Sequence, residues 1–282
     1  MFGMKVGEGK SLGRWIDPLR LYRARRWRGK LPFTRFLGYP LLGMAVGPKG
    51  GFLSFPLPLY LVDGMAVTGI LAFSYALDDY LDWKLEGDLN YVGECLRSGR
   101  LTPKHLYLLI PLPLLLLLPS FLLPLSSLLL LLFFFSIQGM YSVPCPRGSY
   151  RERFKFLLSP FLAFLLTLQA LLLSGSLSPP PLGLLAVAFL FQCYANSFYS
   201  LEKREKGEKG LWLFPTFSFF LSLFLLSLSP FFLLTTIFSL LRLRSVKKMG
   251  RNFHALRSRL LGPPLFCEEF MGYLFLGLAG VL

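Results

Sequence analysis

The sequence predicts an all-α fold: a polytopic membrane protein with nine transmembrane helices around a central cavity and a cytoplasmic N-terminus. Three observations lead there. Of 282 residues, 54% are hydrophobic and only 16% charged, with a mean hydropathy of +0.56, whereas soluble chains carry about a quarter charged residues. Long runs, such as 106–118 and 128–135, contain no charged side chain. A water-soluble core can bury one such run, but not a chain full of them. The third observation is the placement of Lys and Arg between the apolar runs.

Residues 1–31 read as a basic cytoplasmic arm, with an interfacial helix around Trp15 to Trp27. The first apolar run begins only near Leu31 and is interrupted by Pro40, a poor shape for a cleaved signal peptide. Residues 32–282 form the helical domain. A span needs roughly 20 apolar residues, and Pro/Gly breaks divide the chain into candidates near 32–48, 57–80, 104–120, 121–141, 155–174, 180–202, 210–227, 229–243 and 263–282. Within the Leu/Pro-rich tract 106–132, Pro119 and Pro124 suit a tight turn between the third and fourth spans. With the N-terminus inside, alternate loops carry ten, four, four, four and seven basic residues, and only Lys49 falls outside. That is a sharp positive-inside pattern.

The net charge of +15 therefore reads as topology signal and lipid-headgroup contact, with no nucleic-acid partner. Cys95, Cys145, Cys193 and Cys267 are scattered, without a CxxC pair, which argues against a disulfide framework or a zinc site. Most acids lie at the inner helix ends. Asp63, near the outer start of the second span, is expected to snorkel or to act at the helix start. Glu268 and Glu269 sit near the inner end of the last span, where they need a polar cavity.

Residues 76–88 hold five carboxylates. At about 100° per residue, Asp78, Asp82, Glu86 and Asp79 share one arc of about 100° on the second helix. Like charges at these spacings repel, and a hard cation reverses the sign of that cost. Carboxylate oxygens suit Mg²⁺, which keeps some waters and bridges to substrate phosphates. A solvated helix end is the alternative reading of the same cluster.

Asp78-Asp79-Tyr80-Leu81-Asp82-Trp83-Lys84-Leu85-Glu86 resembles the first aspartate-rich motif, NDxxDxxxD, of UbiA-type intramembrane prenyltransferases. Asp78 replaces the usual Asn and Glu86 the last Asp. Leu96 to Thr102 is similar to that family's RPLPSGRIS segment, with Glu94 where its leading Arg usually sits. Tyr141-Ser-Val-Pro-Cys-Pro-Arg147 resembles its Tyr-Pro element after the fourth helix. The second aspartate motif is eroded: Asn196, with Ser200 or Lys203, stands at the aspartate positions.

The resemblance implies Mg²⁺-dependent transfer of a polyprenyl group from a prenyl diphosphate to an acceptor, on the cytoplasmic side of a multi-pass protein. It implies Asp78, Asp79, Asp82 and Glu86 as metal ligands, and Arg97, Arg100, Arg147 and Lys203 as diphosphate contacts. Tyr80, Tyr141 and Tyr199 have rings able to shield an allylic cation. Asn196 belongs to the same substrate-binding set, and the apolar helices would house the isoprenoid tail among membrane lipids. The acceptor, aromatic or lipid, is not legible. A catalytically impaired family member, acting as a lipid-binding or scaffolding protein, is the second reading; a transporter is disfavoured because the acids gather at one face.

Overall fold

The computed structural model describes residues 16–22, 33–46, 55–87, 90–142, 149–175, 179–202, 209–249 and 263–279. Among them there is no strand. The α-helices, in chain order, are α1 (Pro18–Leu21), α2 (Phe33–Ala45), α3 (Leu57–Glu86), α4 (Tyr91–Arg97), α5 (Pro103–Leu109), α6 (Leu125–Ser142), α7 (Ser149–Ser174), α8 (Pro179–Glu202), α9 (Lys209–Leu226), α10 (Leu233–Met249) and α11 (Pro263–Leu278). Two 3₁₀ segments, Leu112–Leu122 and Pro230–Phe232, precede α6 and α10. Helix thus occupies every place marked by an apolar run. Leu57–Leu85 and Pro103–Leu122 are long and apolar enough to cross a membrane, and shorter apolar helices surround them.

The apolar runs pack around a core drawn from α2, α3, α6, α7 and α8, centred on Tyr39, Ile70, Leu71, Phe134 and Leu166. Close backbone approach at small residues builds the seams, as expected where lipid supplies little drive for helices to associate. A Cβ on Gly43 of α2 would lie 2.6 Å from Ala170 Cβ and 2.8 Å from the Thr167 carbonyl of α7. A hydroxyl zipper joins α9 to α10: Thr236 Oγ1 donates to Ser222 Oγ, and Ser239 Oγ to Ser218 Oγ, each at 2.9 Å.

The 3₁₀ segment is long for its kind, and its prolines explain it. Pro113 and Pro119 have no N–H to continue an i→i−4 ladder. The carbonyl of Leu109 would have taken the missing N–H of residue 113. Instead, the Tyr22 hydroxyl donates to it at 2.8 Å. The turn into α6 falls at Leu123, which is extended, and Pro124. Pro119 lies inside the segment and not at the turn, a departure from the expectation.

Other details differ as well. Of the expected interfacial helix around Trp15 to Trp27, the described stretch 16–22 holds α1, and the rest lies outside the described residues. Asp63 is 0% exposed and does not snorkel. α10 runs on through Arg242 to Met249, so Arg242, 3% exposed, is a buried helix residue and not the start of a basic loop.

The Gly43 contact yields a direct test. Gly43→Val should destabilise the bundle by about 1–3 kcal/mol through overpacking, read as a lower thermal midpoint in detergent. Gly139→Ala, with nothing within 4 Å of the new Cβ, should leave it unchanged or slightly higher. Equal effects would mean that the α2–α7 contact does not govern stability.

Candidate functional site

The helix α3 starts with Pro56 and Pro58 around its first turn and ends at Gly87, whose φ of 71° gives a left-handed cap. The Gly87 N–H returns to the Trp83 carbonyl at 3.0 Å, closing the helix just past the acidic stretch. The carboxylates therefore occupy the last turns of α3. Asp78 and Asp79 are buried, at 7% and 4% exposure, and Asp82 is half-buried. Glu86 is the last residue of α3, and its side chain lies outside the described residues. Carboxylates gathered this closely on one helix suit a cation.

The loop that follows is tied to this turn. Asn90 caps α4 by accepting the Gly93 N–H at 2.9 Å, while its Nδ2 donates to the Asp79 carbonyl at 2.6 Å. Arg97 ends α4 and Arg100 follows, both exposed. Arg100 Nε donates to Ser98 Oγ at 2.9 Å, and its guanidinium lies 5.8 Å from the Tyr91 ring centre.

The arm also packs against Tyr91. Arg20 sits 4.2 Å from the ring centre and 3.7 Å from a Glu94 carboxylate oxygen. The Asp17 N–H donates to the Tyr91 hydroxyl at 2.8 Å. Leu21 fills an apolar cluster with Ala76, Val92, Cys95, Leu101 and Leu106. Burial raises the pKa of the Tyr91 and Tyr22 hydroxyls, so both remain neutral hydrogen-bonding groups.

Asn196 belongs to a different wall. The Tyr39 hydroxyl of α2 donates to Gln192 Oε1 at 2.8 Å. Gln192 Nε2 donates to Ser159 Oγ at 2.7 Å and to Asn196 Oδ1 at 3.1 Å. Helices α2, α7 and α8 therefore meet in one neutral network. Behind it, Arg242 of α10 lies 5.3 Å from the ring centres of both Phe191 and Tyr194. Those side chains and Ser218 line a cavity of ≈ 10 Å³, room for about one water. A larger apolar groove of ≈ 530 Å³ runs along α7 and α8 past Phe161, Phe164 and Leu185.

The structure thus brings Asp78, Asp79 and Asp82 together on α3 and links them through Asn90 to the helix bearing Arg97. It connects Asn196 to α3 through α2 and α7, since α3 and α8 share no extensive seam. Tyr141 and Tyr199 fall near the ends of α6 and α8, with side chains outside the described residues. Arg147 and Lys203 lie outside the described residues altogether. Sequence reasoning missed Gln192, Tyr39 and Arg242; a Gln one helical turn before Asn196 was the available signal.

Among the described residues no three carboxylate, His or Cys groups converge to hold a metal by themselves. The donor chemistry nevertheless fits Mg²⁺, which binds through one or two carboxylates and completes its shell with waters and substrate phosphates. Asp78 and Asp82, one helical turn apart, would supply that pair.

No protein-family model and no curated protein matches the sequence. Solved structures do match its fold. A digeranylgeranylglyceryl phosphate synthase superposes with a TM-score of 0.66 at 14% identity, covering 93% of this chain and 97% of that one. A UbiA homologue from Archaeoglobus fulgidus bound to GPP and Mg²⁺ gives 0.64 at 16%, covering 93% and 99%. The same homologue bound to DMAPP and Mg²⁺ gives 0.63 at 16%, covering 94% and 99%. The chain has the fold of these UbiA homologues.

The network around Gln192 is testable. Gln192→Ala should cost about 1–3 kcal/mol by leaving buried hydroxyls without partners, lowering the thermal midpoint. An unchanged midpoint would mean that the three bonds do not hold α2, α7 and α8 in register.

Proposed function

We propose that this chain transfers a prenyl group from a prenyl diphosphate to an acceptor at the membrane. One observation carries the reading: Asp78 and Asp79 are buried on the last turns of α3 in a chain whose fold matches a UbiA homologue bound to GPP and Mg²⁺. On this reading Asp78, Asp79, Asp82 and Glu86 hold Mg²⁺, and Arg97, Arg100, Arg147 and Lys203 contact the diphosphate. Tyr141, Tyr199 and Asn196 complete the substrate side. Residues 32–282 cross the bilayer nine times, and residues 1–31 form a cytoplasmic arm on the same side as the site. The positive-inside pattern supports that orientation.

When bound, Mg²⁺ neutralises charge on the departing diphosphate. The chain's own residues do the rest. Guanidinium and ammonium groups stabilise the anion as the bond between the allylic carbon and the diphosphate oxygen breaks. The acceptor's nucleophilic atom then bonds to that carbon and releases its proton. Apolar helix faces keep water from capturing the carbocation, and aromatic rings lower its energy. At the second motif Asn196 is neutral and hydrogen-bonded into an uncharged network. We assign Lys203 as a point charge on the diphosphate in place of a second metal.

The eroded position also favours a second reading, a non-catalytic lipid-binding or scaffolding protein. Purified protein given labelled prenyl diphosphates and membrane extract separates the two, because only the enzyme yields a prenylated product.

Asp78→Ala and Asp82→Asn should each weaken Mg²⁺-dependent binding of GPP by at least about tenfold, 1.4 kcal/mol, with folding retained. Binding that is unchanged, or indifferent to chelator, would remove the metal site. Lys203→Ala should lose far more activity than Lys206→Ala, with activity depending on Mg²⁺ to about first order. Equal and mild losses would leave Lys203 as a topology charge only.

A further inference from the structure

A second polar cluster lies at the other end of α3. Asp63 stands about 22 Å from Asp78 along the helix axis, fifteen residues at about 1.5 Å each. Its side chain is 0% exposed, while Ser127 of α6 and Gln169 of α7 are each 1% exposed. Gln169 Nε2 donates to Asp63 Oδ1 at 2.5 Å and to Ser127 Oγ at 3.1 Å. Two acceptors in the same contact have no hydrogen-bond donor: Asp63 Oδ2 and Gln169 Oε1. Three helices therefore converge on one carboxylate, one amide oxygen and one hydroxyl, with two oxygens still owed a positive partner.

We propose that Asp63, Gln169 and Ser127 form a binding site for one monovalent cation, a proton or an alkali ion. The charge count selects the class. The cluster carries a single formal negative charge, and no cationic side chain among the described residues bears on Asp63. Tyr60, the other titratable group beside it, donates its hydroxyl to the Leu37 carbonyl at 3.5 Å. A water would satisfy both oxygens yet leave a whole charge buried in an apolar bundle, which is the larger cost. A divalent ion would leave an excess positive charge, and Mg²⁺ sheds its waters reluctantly in a site this enclosed.

A single positive charge neutralises the carboxylate and meets both open oxygens at once. A proton would ride on Asp63 Oδ2 and donate to Gln169 Oε1, closing a two-bond acid–amide ring. An alkali ion would take the same two oxygens together with Ser127 Oγ. In either form the cation locks α3, α6 and α7 at the end remote from the carboxylate cluster. The site stands independently of prenyl transfer.

The experiment uses the full-length protein in detergent, with wild type, Asp63→Asn, Asp63→Ala and Gln169→Ala. Asp63→Asn imitates the charge-neutral state, because its amide can both donate to Gln169 Oε1 and accept from Nε2. Its thermal midpoint should stay near wild type, while Asp63→Ala and Gln169→Ala fall well below it. At constant ionic strength, a wild-type midpoint higher in NaCl or KCl than in choline chloride, with the difference lost in Asp63→Asn, identifies the alkali ion. A protonated-carboxyl stretching band in the infrared spectrum, absent from Asp63→Asn and without cation dependence, identifies the proton. Either result supports the site. Wild type showing neither signature overturns it even if a variant fails to fold, as does Asp63→Asn as unstable as Asp63→Ala.

Discussion

Gln192 receives the Tyr39 hydroxyl and gives its own amide hydrogens to Ser159 and Asn196. Through these bonds, α2, α7 and α8 are held at one height and one rotation. Apolar packing alone permits a helix to slide or turn, because one leucine face substitutes for another. A buried amide does not permit it: any shift strands donors and acceptors where no water replaces them. The seam at Gly43 and Ala170 is close enough for these short side chains to meet. Packing brings the helices near, and the amide selects their register.

That register matters because the candidate site is spread over elements distant in sequence. Asp78 and Asp79 sit at the closing turns of α3, and Asn90 returns to the Asp79 carbonyl. The same residue sets the start of α4 by accepting the Gly93 N–H, and the far end of α4 carries Arg97. The arm then clasps α4 from outside through Asp17, Arg20 and Leu21, and reaches the Leu109 carbonyl with Tyr22. A proline that deprives Leu109 of its helical partner thus creates the anchor for the arm. The proline-rich tract is a docking feature as well as a helix-breaker.

The helices were readable in the sequence because hydropathy and Pro/Gly punctuation report on local chain chemistry. The carboxylates of α3 were readable because four acids at helical spacing concern a single helix. What escaped depends on partners far along the chain. Asp63 looks like a snorkelling acid until Gln169, 106 residues away, closes over it. Arg242 looks like one more basic residue at a helix end, since only the fold brings Phe191 and Tyr194 against it. Gln192 carries no motif at all. In each case the sequence shows a polar residue, and the tertiary pairing decides its meaning.

Asn196 brings these threads together. An aspartate at this position would add negative charge to a wall whose other members, Tyr39, Ser159 and Gln192, are neutral. That charge would be tolerable only with a cation held against it. With asparagine, Gln192 Nε2 has an uncharged acceptor. Among the described residues, the buried carboxylates of the candidate site lie on α3, and Asn90 ties that helix to α4, which carries Arg97 and is followed by Arg100. A fold that distributes acids over two helices calls for cations between them; among the described residues, the buried acids of the candidate site lie on α3, and amides and hydroxyls meet where α2, α7 and α8 join.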